Sequence, residues 1–155
     1  MADNSALAEF KQGIMLLRNG NSAEAFEYLR RAAELKQQNP LYLSFLGVSV
    51  ARAQRKWSAA VELCEAALSL RRNEAQLYLN LAEVYVSAGR RDDAIEILDT
   101  ASKYCGVDAR IGRVRSSLGR RNSPVLSLLE RGHFLNRSLG RLRHLMLGRL
   151  RKSEK

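Results

Sequence analysis

Three stretches of this chain can be laid over one another: "GIMLLRNGNSAEAFEYLRRAAEL" from Gly13, "GVSVARAQRKWSAAVELCEAALSL" from Gly47 and "AEVYVSAGRRDDAIEILDTASKY" from Ala82. Each opens on a small residue with a bulkier one three positions on, Leu16, Val50 and Tyr85. Each breaks at a turn, "NGN", "QRK" or "AGR", and resumes at an alanine: Ala25, Ala60 and Ala94. A second alanine follows seven positions later, at Ala32, Ala67 and Ala101. The pairs recur at intervals of 35 and 34 residues, and the middle copy carries its extra residue between Gly47 and Ala60. A unit of this length reads as helix, tight turn, helix, with small residues where the two axes must approach. One such hairpin cannot bury its own apolar stripe, so neighbouring copies have to stack to make a core.

Helix starts are signalled at several points. Asn39 followed by Pro40 is a cap and a first-turn proline. Ser22 and Ser58 are expected to cap second helices, and Asn73 with Gln76 three residues on reads as a capping box. A hydrophobic content of 46%, an aromatic content of 6% and two prolines suit an all-helical chain rather than a disordered one. At 155 residues there is room for one domain, or for a domain with an appendage.

The charge divides the chain. Residues 1–105 hold 13 basic and 13 acidic side chains, whereas residues 106–155 hold 13 basic against only Asp108, Glu130 and Glu154. The whole net charge of +10 therefore belongs to the last third. The N-terminal "MADNSALAEF" has neither a basic start nor an apolar run, so no secretory signal is expected. No stretch approaches the roughly 18 apolar residues of a membrane span, and the default compartment is the cytoplasm. Cys64 and Cys105 stand alone on apolar helix faces and read as small buried hydrophobes.

Over about residues 6–105 the pattern resembles the tetratricopeptide repeat family, with repeats at about 6–39, 40–74 and 75–106. The chain departs from the family where an early aromatic is Glu9 and Leu43 and is kept only as Tyr78. It also departs where a proline is replaced by Gln37 and a small glycine by Ala82. The resemblance implies an all-α, right-handed superhelical solenoid. The segment 107–119, containing Ile111, Val114 and Leu118 at helical spacing with Arg110, Arg113 and Arg115 outward, reads as its end-cap helix. After "GRRNSP" a long basic amphipathic helix is expected over 123–155.

No phosphate-cradling loop, nucleophile elbow or metal-ligand pair is present, and His133 and His144 are eleven residues apart, too far for one metal. No enzyme, cofactor or metal is expected. The resemblance places a peptide-binding groove on the first helices of the repeats. By register these present Leu7, Phe10, Lys11, Ile14, Leu17 and Arg18, then Leu41, Ser44, Phe45, Val48 and Arg52, then Gln76, Leu79, Asn80, Glu83 and Ser87. Some family members clamp a terminal carboxylate there, but the matching positions hold Phe10, Ile14, Phe45, Gln76 and Asn80. Recognition of chaperone tails is therefore not expected. Phe10, Ile14, Phe45 and Val48 are the expected apolar anchors, with Arg52, Asn80 and Glu83 giving polar specificity; a groove of this kind suits a partner's helix or extended peptide.

In the last helix Leu135, Leu139, Leu142, Met146 and Leu150 form one stripe, opposite or flanked by Arg137, Arg141, Arg143, Arg149 and Arg151. Such a helix can occupy the chain's own groove or that of a second copy. The alternative function is binding of nucleic acid or an anionic membrane surface through this basic face.

Overall fold

The computed structural model describes residues 2–119, and every regular element among them is an α-helix. The elements are α1 (Ala2–Arg18), α2 (Ser22–Leu35), α3 (Pro40–Gln54), α4 (Trp57–Leu70), α5 (Ala75–Ser87), α6 (Arg91–Cys105) and α7 (Ala109–Gly119). They pair as α1 with α2, α3 with α4 and α5 with α6, and each hairpin packs on the next. The expected basic helix at 123–155, with Arg137, Arg141, Arg143, Arg149, Arg151 and both histidines, lies outside the described residues.

Small residues hold each hairpin together. Ala25, Ala32, Ala60, Ala67, Ala94 and Ala101 are all fully buried. Opposite them stand Gly13, Gly47 and Ala82, each on the first helix of its hairpin. A Cβ added at Gly13 would come within 2.6 Å of Leu29 Cγ, and one at Gly47 within 2.8 Å of the Ala60 carbonyl oxygen. Leu29, Cys64 and Leu98 occupy the same register on the second helices and are all fully buried. Cys64 is thus a core side chain, and burial pushes its thiol up to about 12.

The turns show where the extra residue of the middle repeat goes. Gly20, Arg55 and Gly89 share one register position, and all three have left-handed backbone, with φ of 84°, 55° and 77°. Glycine takes that conformation freely, whereas an L side chain there costs roughly 1–2 kcal/mol. The added residue extends α3, whose helical bonding runs on until the Arg55 N–H meets the Ala51 carbonyl.

Capping follows the sequence signals only in part. The Asn39 side chain accepts from the N–H groups of Leu41 and Tyr42, with Pro40 in the first turn. At the other three starts the structure differs. Ser22 is already helical behind Asn21, Ser58 lies inside α4, and α5 begins after Glu74, so Asn73 and Gln76 form no capping box. The cap positions fall instead to Asn21, Lys56 and Glu74, none of which makes a side-chain capping bond.

The last described helix is pinned by its own cap. The Asp108 carboxylate accepts the Arg110 N–H at 2.8 Å and pairs with the same residue's guanidinium at 2.8 Å. Ile111 is buried and Leu118 half-buried against the core, while Val114, expected to face inward, is exposed; among the described residues α7 packs on α6 and the edge of α5. Arg115 joins Asp99 of α6 at 3.0 Å, and Arg91 Nε donates to the Leu118 carbonyl at 2.8 Å.

These contacts make three predictions. Gly47→Ala drives a Cβ against backbone and should cost about 1–3 kcal/mol in thermal denaturation; Gly112→Ala, with nothing within 4 Å, should instead stabilise by up to about 1 kcal/mol. Arg55→Gly removes the left-handed side chain and should stabilise by about 0.5–1 kcal/mol on the same assay. Arg110 holds the Asp108 carboxyl down to about 2 from its ordinary 3.8. Its contribution to stability is thus fully present above about pH 4 and lost as pH falls through 2. A carboxyl NMR titration should find that low midpoint, and Arg110→Ala should raise it.

Candidate functional site

The first helices of the three hairpins lie side by side, and their shared face forms a groove of about 230 Å3. Its apolar lining comes from Ile14, Leu17, Phe45 and Val48, and its polar lining from Arg18, Arg52, Gln76, Asn80 and Glu83. The periodicity of each helix explains the mixture. One stripe packs against the second helices and the stripe beside it is left to face the groove.

The apolar residues are not equally available. Val48 is 3% exposed and Leu17 5% exposed, so both are floor rather than projecting anchors. Ile14 and Phe45 are half-buried and form the reachable apolar walls. Phe10 does not line the groove. It stacks on Tyr42 at 4.4 Å between ring centroids and meets Phe45 edge-on at 5.5 Å, holding Phe45 in place from behind. Lys11 is exposed and Ser87 sits at the exposed end of α5; neither lines the groove. The helical register put these residues near the groove. Which of them reaches it depends on the partner helix each one meets.

Arg52 crosses the groove. Its guanidinium pairs with Glu83 of α5 at 2.6 Å and donates to the Leu17 carbonyl of α1 at 3.1 Å. One side chain thereby ties three hairpins, with its charge at the C-terminal end of α1 where a cation is favoured. Both partners are more than a third exposed, so the pair contributes about 1 kcal/mol at most.

A second polar line runs underneath. Arg110 Nη1 of α7 donates to Gln76 Oε1 at 3.1 Å, and Gln76 Nε2 donates to Asn80 Oδ1 at 2.8 Å. Asn80 Nδ2 in turn donates to Ser44 Oγ of α3 at 2.9 Å. Asn80 is only 3% exposed, and its amide serves this line. Asn80 is part of the groove lining with its amide bonded to Gln76 and Ser44, while Gln76, Arg18, Arg52 and Glu83 are the polar groups nearer solvent. Among the described residues no group of three or more His, Cys, Asp or Glu side chains could hold a metal ion. No described helix is long and apolar enough to cross a membrane.

Comparison with known proteins agrees with this architecture. Family models described as tetratricopeptide repeat match residues 51–118 and 2–40. No curated protein sequence matches the chain. Among solved structures, the first TPR of Spaghetti (RPAP3) bound to an HSP90 peptide superposes with a TM-score of 0.62 at 14% identity, covering 76% of this chain and 94% of that one. The TPR2B domain of yeast Sti1 in a complex with pHsp70 superposes with a TM-score of 0.62 at 16% identity, over 76% of this chain and 98% of that one. Yeast Tom70 is 26% identical with a TM-score of 0.56, over 76% of this chain but only 24% of its own. The repeat register, the stacked hairpins and these matches together establish that the chain belongs to the tetratricopeptide repeat family and has its helical solenoid fold.

Proposed function

We propose that this protein is a non-catalytic interaction scaffold that holds a partner's helix or extended peptide in the groove of its first helices. The observation that carries this reading is the pairing of reachable Ile14 and Phe45 walls with solvent-facing Arg18, Arg52 and Glu83 around one concavity. Apolar anchors of an incoming segment would seat against the walls over the Leu17 and Val48 floor, and its polar groups would exchange with the Arg52–Glu83 pair. The structures of RPAP3 and Sti1 were determined with HSP90 and pHsp70 segments, which supports a peptide as the occupant of such a groove. The positions that would clamp a chaperone tail hold Phe10, Ile14, Phe45, Gln76 and Asn80 here, so the preferred segment is one with apolar anchors.

The alternative reading, binding of nucleic acid or anionic membrane through the arginine-rich end, is favoured by the concentration of all net charge after residue 105. It requires RNA or anionic vesicles to be retained by the full chain and released by residues 1–122. Self-occupancy of the groove by the same end requires the shorter chain to capture more partner, not less.

A pull-down of partners followed by affinity measurement tests the groove. Phe45→Ala should weaken capture by roughly thirtyfold, about 2 kcal/mol, while costing the fold about 1 kcal/mol. The opposite ranking would make Phe45 a core residue and reject the groove as the binding site.

A further inference from the structure

Register comparison of the three first helices isolates a face of α1 that differs from its equivalents. Tyr42 of α3 is buried among Ala32 and Ala33 of the preceding α2, and Ser49, two turns on, is fully buried. The same positions in α5 are Leu77 and Val84, also fully buried. In α1 they are Ala8 and Met15, and both are exposed, Met15 at 48%. Leu7 beside them is 41% exposed. At these positions α3 is covered by α2 and α5 by α4. Leu7, Ala8, Lys11, Met15 and Arg18 fall within about 100° of arc, one stripe on the helix.

The charges on this stripe select its occupant. Lys11 sits midway between Leu7 and Met15, and Arg18 closes the row. Neither takes part in an ion pair among the described residues. The neighbouring carboxylate, Glu9, is turned to Arg31 of α2 at 2.9 Å. A second copy fits poorly. Two α1 helices related by a two-fold axis would bring Lys11 against Lys11, and the far end of a copy would bring exposed Arg113 of α7. Each sets cation on cation.

We propose that the outer face of α1 docks an amphipathic helix of a partner protein whose apolar stripe is flanked by carboxylates, seated on α1 as α2 is seated on α3. The covered stretch from Leu7 to Met15 rises about 12 Å, so a helix of three to four turns spans it. The site adjoins the groove at Arg18, which belongs to both. Ile14, Leu17 and Arg18 line the groove, whereas Ala8, Lys11 and Met15 do not.

The probe is a hydrocarbon-stapled peptide with the sequence of α4, residues 57–70, which carries Glu62 and Glu65 and no basic residue. This helix type already covers the equivalent positions of α5. A twin peptide carries Glu62→Lys and Glu65→Lys. Both are titrated into the full-length chain and followed through backbone amide shifts. The acidic peptide should shift Leu7, Ala8, Lys11 and Met15 and leave Val48 and Asn80 in place. Met15→Asp and Lys11→Glu should each weaken it at least tenfold without lowering Tm, and Lys11→Glu should make the lysine twin the better binder. Absence of binding, shifts confined to the groove, equal affinity for the two peptides, or unchanged affinity in both variants would overturn the proposal. So would concentration-dependent self-association abolished by Met15→Asp, which would assign the face to a second copy.

Discussion

Everything in this molecule depends on how closely two helices of one hairpin can approach. At Gly47 the backbone of α3 lies so near α4 that a methyl group would strike a carbonyl oxygen, and the paired alanines of the second helices leave no exposed surface at all. Dispersion and apolar burial act over short distances, so an interface of glycine and alanine is strong only when axes draw together. That closeness brings Leu29, Cys64 and Leu98 into full burial, each worth roughly 1.5–3 kcal/mol as an apolar side chain. It also aligns the first helices side by side.

The groove is a by-product of this alignment. Each first helix spends one stripe on its own hairpin and another on its neighbours, and what remains faces the concavity. The polar groups there do structural work before any ligand arrives. Arg52 joins α1, α3 and α5, while the line from Arg110 through Gln76 and Asn80 to Ser44 joins α7 to α3. A ligand that engages Arg52 or Gln76 therefore competes with bonds that hold neighbouring hairpins in register, which couples occupancy of the groove to the stiffness of the stack.

Much of this was legible in the residues. The alanine spacing located all three hairpins, the Asn39-Pro40 pair marked a helix start, and the register carried over from the family resemblance put Ile14, Phe45, Arg52 and Glu83 on one face. Burial was less legible. Phe10 and Phe45 are both aromatic and share a helical face by pattern, yet Phe10 turns to Tyr42 and supports the wall while Phe45 lines it. Asn80 has the chemistry of a specificity group but is consumed by Ser44 and Gln76. Ser22, Ser58 and Asn73 have capping chemistry, but the cap positions fall to Asn21, Lys56 and Glu74. In each case the side chain's own properties were plain, and its neighbour in space was not.

The sequence by itself determined the repeating unit, its length and the points of closest helix approach, because period and residue size are local quantities that the chain carries along its length. It also determined that the net positive charge belongs to the last third. Tertiary structure decided which faces meet: that Val48 and Leu17 become floor, that Arg52 reaches Leu17 and Glu83, and that Met15 is left bare where Ser49 and Val84 are covered. Those outcomes depend on the position of each helix in the stack, and residues in the same register acquire different exposure because α3 and α5 are covered there by α2 and α4.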